Sequence, residues 1–109
     1  MITPLTYQIL LTLASADAHG YGIIKEIEEQ TGASSAPTTG ALYLALQRME
    51  NEGLIEESLR RPGPEDDQRR RYYRLTRRGR ATAREESARL AALVAVARRK
   101  NLLPARVDA

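Results

Sequence analysis

The chain contains no cysteine and only one histidine, His19. These absences exclude a disulfide framework, a thiolate nucleophile and a zinc ribbon, and one imidazole cannot build a histidine-rich metal site. No metal or cofactor is expected. Tryptophan and phenylalanine are missing too, so no aromatic slot points to a particular small-molecule ligand. The longest apolar run, LAALVAVA from Leu90 to Ala97, falls far short of the ~20 residues of a membrane span. The opening MITPLTYQ lacks a basic n-region. A cytoplasmic location with no membrane partner is the expectation. There is no internal repeat and no low-complexity segment.

At 109 residues the chain has room for one small domain with a modest core. Its 17 Lys+Arg against 14 Asp+Glu give only a mild excess, but the excess is unevenly spread. Arginines crowd the segment from Arg60 to Arg80, opposed there only by Glu65, Asp66 and Asp67. Its densest part, RRRYYRLTRRGR from Arg69 to Arg80, sets two tyrosines among the arginines.

Apolar spacing marks the elements. TPLTYQILLTLASA reads as a helix with Thr3 as cap, Pro4 at the first position and Leu5, Ile9, Leu10 and Leu13 as its stripe. After the interruption DAHG, YGIIKEIEEQTG is a short second helix with Ile23, Ile24 and Ile27 on one face and Gly32 as its stop. Beyond the turn ASSAP, TTGALYLALQRMENEG is a third, capped by Thr38 or Thr39 and ended by Gly53. At ~100° per residue, Leu42, Ala45, Leu46 and Met49 project together while Gly40, Leu44, Gln47 and Asn51 point the opposite way, flanked by Tyr43 and Arg48.

LIEESLR and RRYYRLT then suit a β-hairpin across the loop RPGPEDDQ. Strand alternation puts Tyr73 and Leu75 on one face with Arg71, and Tyr72 on the other with Arg70 and Arg74. One tyrosine is therefore expected in the core and the other among arginines. From Arg77 to about Lys100 runs a long helix with a heptad-like seam of Ala83, Ser87, Leu90, Val94 and Ala97, Leu93 beside it. NLLPARVDA follows as a tail stopped by Pro104.

The fold class expected is thus mostly α with a small β-hairpin wing, the order of a winged helix-turn-helix plus a C-terminal dimerisation helix. The segments HGYGIIKEIEEQTG, GALYLALQRMENEGLIEES and RRYYRLTRRGR, in that order, resemble the PadR family of bacterial transcriptional regulators over about His19 to Gly79. Two positions depart from the family pattern: Ala41 stands where threonine is common, and Leu44 follows "LY" where proline is common.

The division expected is residues 1–79 as a winged helix-turn-helix DNA-binding domain, 80–101 as the dimerisation helix, which sits where the resemblance places that element, and 102–109 as a tail. The resemblance implies a homodimeric repressor on double-stranded operator DNA, in some members relieved by a small-molecule effector. The residue-by-residue carry-over rests on Tyr21, Gly40, Tyr43, Arg71, Tyr72 and Tyr73.

Physical chemistry adds roles, each with a plainer alternative. Thr38 and Thr39 can donate to phosphate oxygens or simply cap their helix; Gly40 lets the backbone approach the duplex. Tyr43 suits a phosphate contact or a rim position. Leu44 suits a thymine methyl or mere exposure, and Gln47 can pair with adenine. Tyr21 lies where a phosphate could dock on the second helix. Arg69, Arg70, Arg71 and Arg74 can neutralise phosphates or form a solvated face. His19 has no partner that would make it catalytic and is expected to shape a turn. The seam residues Leu90, Leu93, Val94 and Ala97 belong to a dimer interface or to a helix folded back on its own domain. Three rivals stand beside operator binding: a winged-helix protein-interaction module, a structured-RNA binder and an enzyme, the last without a metal cluster or activated nucleophile to support it.

Overall fold

The protein is seen in a computed structural model that describes residues 2–32, 36–59 and 70–104. Helix α1 (Pro4–Ser15) begins where expected: Thr3 Oγ1 accepts from the Thr6 amide at 3.1 Å and Pro4 occupies the first turn. Its Ile9, Leu10 and Leu13 are buried. The chain then extends through a two-residue strand, β1 (Ala18–His19), into α2 (Gly20–Thr31), where His19 is the cap and its Nδ1 accepts from the Gly22 amide at 3.1 Å. Helix α3 (Thr39–Asn51) is capped by Thr38, whose Oγ1 accepts from the Ala41 amide at 3.1 Å.

The end of α3 shows why a glycine follows. Gly53 has φ 77°, its amide bonds to the Glu50 carbonyl and the Leu54 amide to the Met49 carbonyl. This pair of bonds needs a left-handed residue between them, where an L side chain is disfavoured. It turns the chain sharply into β2 (Ile55–Glu57). The same motif ends α4 (Arg77–Arg99): Asn101 has φ 63° and the Leu102 amide returns to the Ala97 carbonyl at 2.8 Å.

The sheet corrects the two-strand expectation. Strand β3 (Tyr72–Leu75) lies between β1 and β2 and is antiparallel to both, with Ala18 opposite Tyr73, His19 opposite Tyr72 and Glu57 opposite Tyr73. A central strand loses both edges to neighbours, and here it loses both faces to packing as well. Tyr73 (4% exposed) joins the core, and Tyr72 (5% exposed) meets the His19 ring edge-on at 5.0 Å. The expectation that Tyr72 would stand outside with the arginines is therefore not met. The loop RPGPEDDQ, with Glu65, Asp66 and Asp67, and Arg69 lie outside the described residues.

The core gathers the apolar faces of α1, α2 and α3 with Leu54, Ile55, Tyr73 and Ala83. Polar ties fix the helices to one another. Arg48 on α3 donates to Thr6 Oγ1 at 2.9 Å, and the Tyr7 and Ser87 hydroxyls share a hydrogen bond of 2.7 Å between α1 and α4. Glu86 lies buried on α4, where bonds from the Arg89 guanidinium hold its carboxyl below the usual carboxylate range.

With 23 residues, α4 is about 35 Å long, more than the 28 and 26 Å minor extents of the molecule. Its first half, through Ala83 and Ser87, packs on its own domain. Farther along, Leu93 and Val94 are exposed.

Candidate nucleic-acid interface

Burying Leu42, Ala45, Leu46 and Met49 forces the other side of α3 outward. Thr38, Thr39, Gly40, Tyr43, Leu44 and Gln47 are all exposed, Leu44 at 70%. The cap uses an oxygen lone pair of Thr38, leaving its O–H able to donate outward.

Beside this face the start of α2 meets Arg70 and Arg71, which immediately precede β3. His19, Gly20, Tyr21, Tyr43, Arg70, Arg71 and Tyr73 line an open cleft of about 520 Å³. A second hollow of about 400 Å³ is bordered by Tyr43, Gln47, Glu50, Asn51, Arg71 and Tyr73. Because Tyr43, Arg71 and Tyr73 border both, the outer face of α3 and the basic segment before β3 form one continuous concave surface. Thr38, Thr39, Gly40 and Leu44 stand on the first turns of α3, outside both hollows. Arg74 is in neither: its Nε donates to Glu56 Oε1 at 2.9 Å, directly across the β2–β3 ladder.

Cations and rings are interleaved in the cleft. The Tyr21 ring has the Arg70 guanidinium 5.6 Å from its centroid and the Lys25 ammonium at 5.9 Å. His19 lies nearly parallel to Tyr21 at 6.4 Å. Since His19 Nδ1 already accepts from Gly22, a neutral ring carries its proton on Nε2, and Arg70 Nη1 at 3.4 Å is a neighbour rather than a donor to it.

Arg71 lies over the Tyr73 ring at 5.6 Å, with its Nη2 3.4 Å from Glu57 and 3.5 Å from Glu50. The Tyr73 phenolate first, then Glu57 and Glu50, raise the Arg71 pKa. At neutral pH the phenol is uncharged, so only the carboxylates act. Burial pushes the Tyr73 phenol above its ordinary value despite Arg71 beside it, so it stays protonated and a donor at neutral pH.

Of the residues the sequence singles out, Tyr21, Tyr43, Gln47, Arg70 and Arg71 border these hollows; the sequence does not point to Gly20 and Glu50, which border them too, or to Lys25 and Glu57, which stand beside Tyr21 and Arg71. Glu50 was within reach, being three residues after Gln47 on the same helix. Glu57 was not, because its place opposite Tyr73 depends on strand register. Gly20 is needed for close approach: a Cβ there would sit 2.7 Å from Tyr43 Cζ and closer still to its hydroxyl. That neighbour is the end of a side chain and can swing away. Gly20→Ala is thus expected to change stability by less than about 1 kcal/mol while displacing the Tyr43 phenol and, were this surface to bind a duplex, to weaken that binding as much as Tyr43→Ala. Thermal melting and duplex titration check this. Additive losses in the double variant would contradict it.

Three helices, a small antiparallel sheet and a final long helix, with α3 exposed beside the basic residues that precede the sheet's central strand, define a winged helix-turn-helix protein. More narrowly, residues 9–85 match the model of the transcriptional regulator PadR-like family, and the chain belongs to that family.

Among solved structures, it is similar to a PadR family transcription regulator from hypervirulent Clostridium difficile R20291, at 28% identity and a TM-score of 0.75 over 89% of this chain and 97% of that one. It shares its fold with Bacillus subtilis PadR in complex with operator DNA, at 24% identity and a TM-score of 0.65 over 76% of this chain and 46% of that one. An uncharacterised protein of Lysinibacillus sphaericus is 34% identical over 73 residues, and the chain spans 65% of its length. No helix among the described residues is long and apolar enough to cross a membrane.

Proposed function

We propose that this chain is a sequence-specific, double-stranded DNA-binding transcriptional regulator that represses by occupying operator DNA as a homodimer. The observation that carries the reading is the continuous surface joining Tyr43 and Gln47 of α3 to Arg70 and Arg71. A helix presented with its N-terminal turns outward suits the major groove, and cations alongside suit the adjoining phosphates. The operator complex of the structurally similar Bacillus subtilis PadR supports the same reading.

In this scheme Gln47 reads a base edge, Leu44 meets a thymine methyl, and Tyr21, Thr38, Thr39, Tyr43, Arg70 and Arg71 take phosphates. Residues 80–101 serve as the dimerisation element through Leu90, Leu93, Val94 and Ala97, spacing two α3 helices about 34 Å apart on successive turns of a palindromic site.

The structure separates two arginines that the sequence treats alike. Arg71 lies in the cleft, whereas Arg74 is turned to Glu56. Arg71→Ala should lower the log–log salt slope of binding by roughly 0.9, the value of one phosphate contact, and Arg74→Ala should leave it unchanged. Gln47→Ala should alter base preference instead of slope. Titrations on a duplex selected by the wild-type protein, over a range of salt, read all three. Equal slope losses for the two arginine variants would contradict the assignment, and so would a base preference that survives Gln47→Ala at every position.

A further inference from the structure

Two acids that a surface made only to attract DNA would omit stand beside Arg71, Glu50 at the border of the second hollow and Glu57 on β2. Glu50 approaches Arg71 from α3 and Glu57 from β2, both through the same guanidinium nitrogen, at 3.5 and 3.4 Å. These distances exceed the ~2.7–2.9 Å of a strong charge-assisted bond, a length that Arg74 and Glu56 do reach. Arg71 is thus shared between two loose partners, and its side chain remains 53% exposed. Exposed pairs of this kind are weak, so a correctly placed phosphate can take the guanidinium from them. The carboxylates, however, repel a phosphate that arrives out of register.

We propose that Glu50 and Glu57 are specificity-determining residues that withhold Arg71 from non-specific DNA and yield it only when α3 has docked on its proper bases. The proposal rests on the DNA-binding reading above. Loosely docked protein binds through whatever cations are available, with no base contacts to offset the loss of an ion pair. In the specific complex, base-edge contacts fix the register and bring one phosphate against Arg71, so the exchange is made there and not elsewhere. The guanidinium also lies over the Tyr73 ring, 5.6 Å from its centroid.

The test uses the full chain with Glu50→Gln and Glu57→Gln, singly and together, which keep side-chain size and remove charge. Each is titrated over a range of salt on a duplex selected from a random pool by the wild-type protein and on a shuffled duplex of equal length and composition. On shuffled DNA the double variant should bind several-fold tighter, with a log–log slope steeper by about 0.9, one added phosphate contact. On selected DNA the slope should not change, so the specificity ratio falls. Adding Arg71→Ala should abolish the gain.

Unchanged binding to both duplexes would overturn the proposal and leave the ion pairs as surface decoration. An equal gain on both that persists without Arg71 would also overturn it, by showing general repulsion. Wild-type protein that selects no duplex at all would overturn the DNA-binding reading, and this inference with it.

Discussion

Gly79→Ala is expected to destabilise the protein by about 3 kcal/mol, the upper end of the usual cost of overpacking, because the neighbour is backbone that cannot move aside. Gly79 lies in the first turn of α4, where its amide donates to the capping Thr76 hydroxyl at 3.0 Å. An added Cβ would sit 2.9 Å from the Leu54 carbonyl carbon and closer still to its oxygen. That carbonyl is not free to withdraw, because it already accepts from the Thr76 amide at 3.1 Å, while Thr76 Oγ1 donates to the Gly53 carbonyl at 2.6 Å. The α3–β2 turn and the start of α4 are thus sewn together around a missing side chain. Gly20 meets only the movable end of Tyr43, so its substitution should be mild in stability and selective in binding. Equilibrium denaturation compares the two. For Gly79→Ala, a fall in Tm of about 10 °C or more is expected in a domain of this size; a Tm within 2–3 °C of the wild type (~0.5 kcal/mol or less) would show that the α4 start can shift at little cost.

The second large effect concerns the far half of α4. Leu93→Glu together with Val94→Glu should leave the fold intact, since both side chains are exposed and absent from the core. The same pair of charges facing their copies across a two-fold interface would be buried and unpaired, which is costly. The variant should therefore be helical, melt like the wild type and sediment as a monomer. Binding to a two-half-site duplex should weaken on the order of 100-fold, the usual scale of lost bivalency, while binding to one half-site should hardly change. A variant that remains dimeric would relocate the interface to another face of the molecule.

Much of this architecture was legible because single residues carry strong local meaning. Thr3 with Pro4, Thr38, and Gly53 mark helix ends by capping chemistry alone, and the structure uses each of them so. The inward face of α3 followed from spacing. What escaped was non-local. Strand β1 is only Ala18–His19, too short to show alternation, and DAHG resembles a plain turn. Without β1, β3 looks like an edge strand, and Tyr72 is assigned to the outside.

The cleft itself was half legible. Its α3 side and its arginines could be named, but the meeting of Arg71 with Glu50 and Glu57 depends on how α3, β2 and β3 are brought together. The tautomer imposed on His19 by its capping bond was likewise invisible in the sequence, although its turn-shaping role was not.

Selection of duplexes from a random pool by the full chain, followed by titration of the recovered sequence at several salt concentrations, tests the central claim most directly. The account predicts an enriched palindrome with half-sites one helical turn apart, about 10 base pairs, bound with a salt slope that Arg71→Ala reduces by one phosphate contact. Recovery of no common sequence, with a slope indifferent to Arg71, would contradict it.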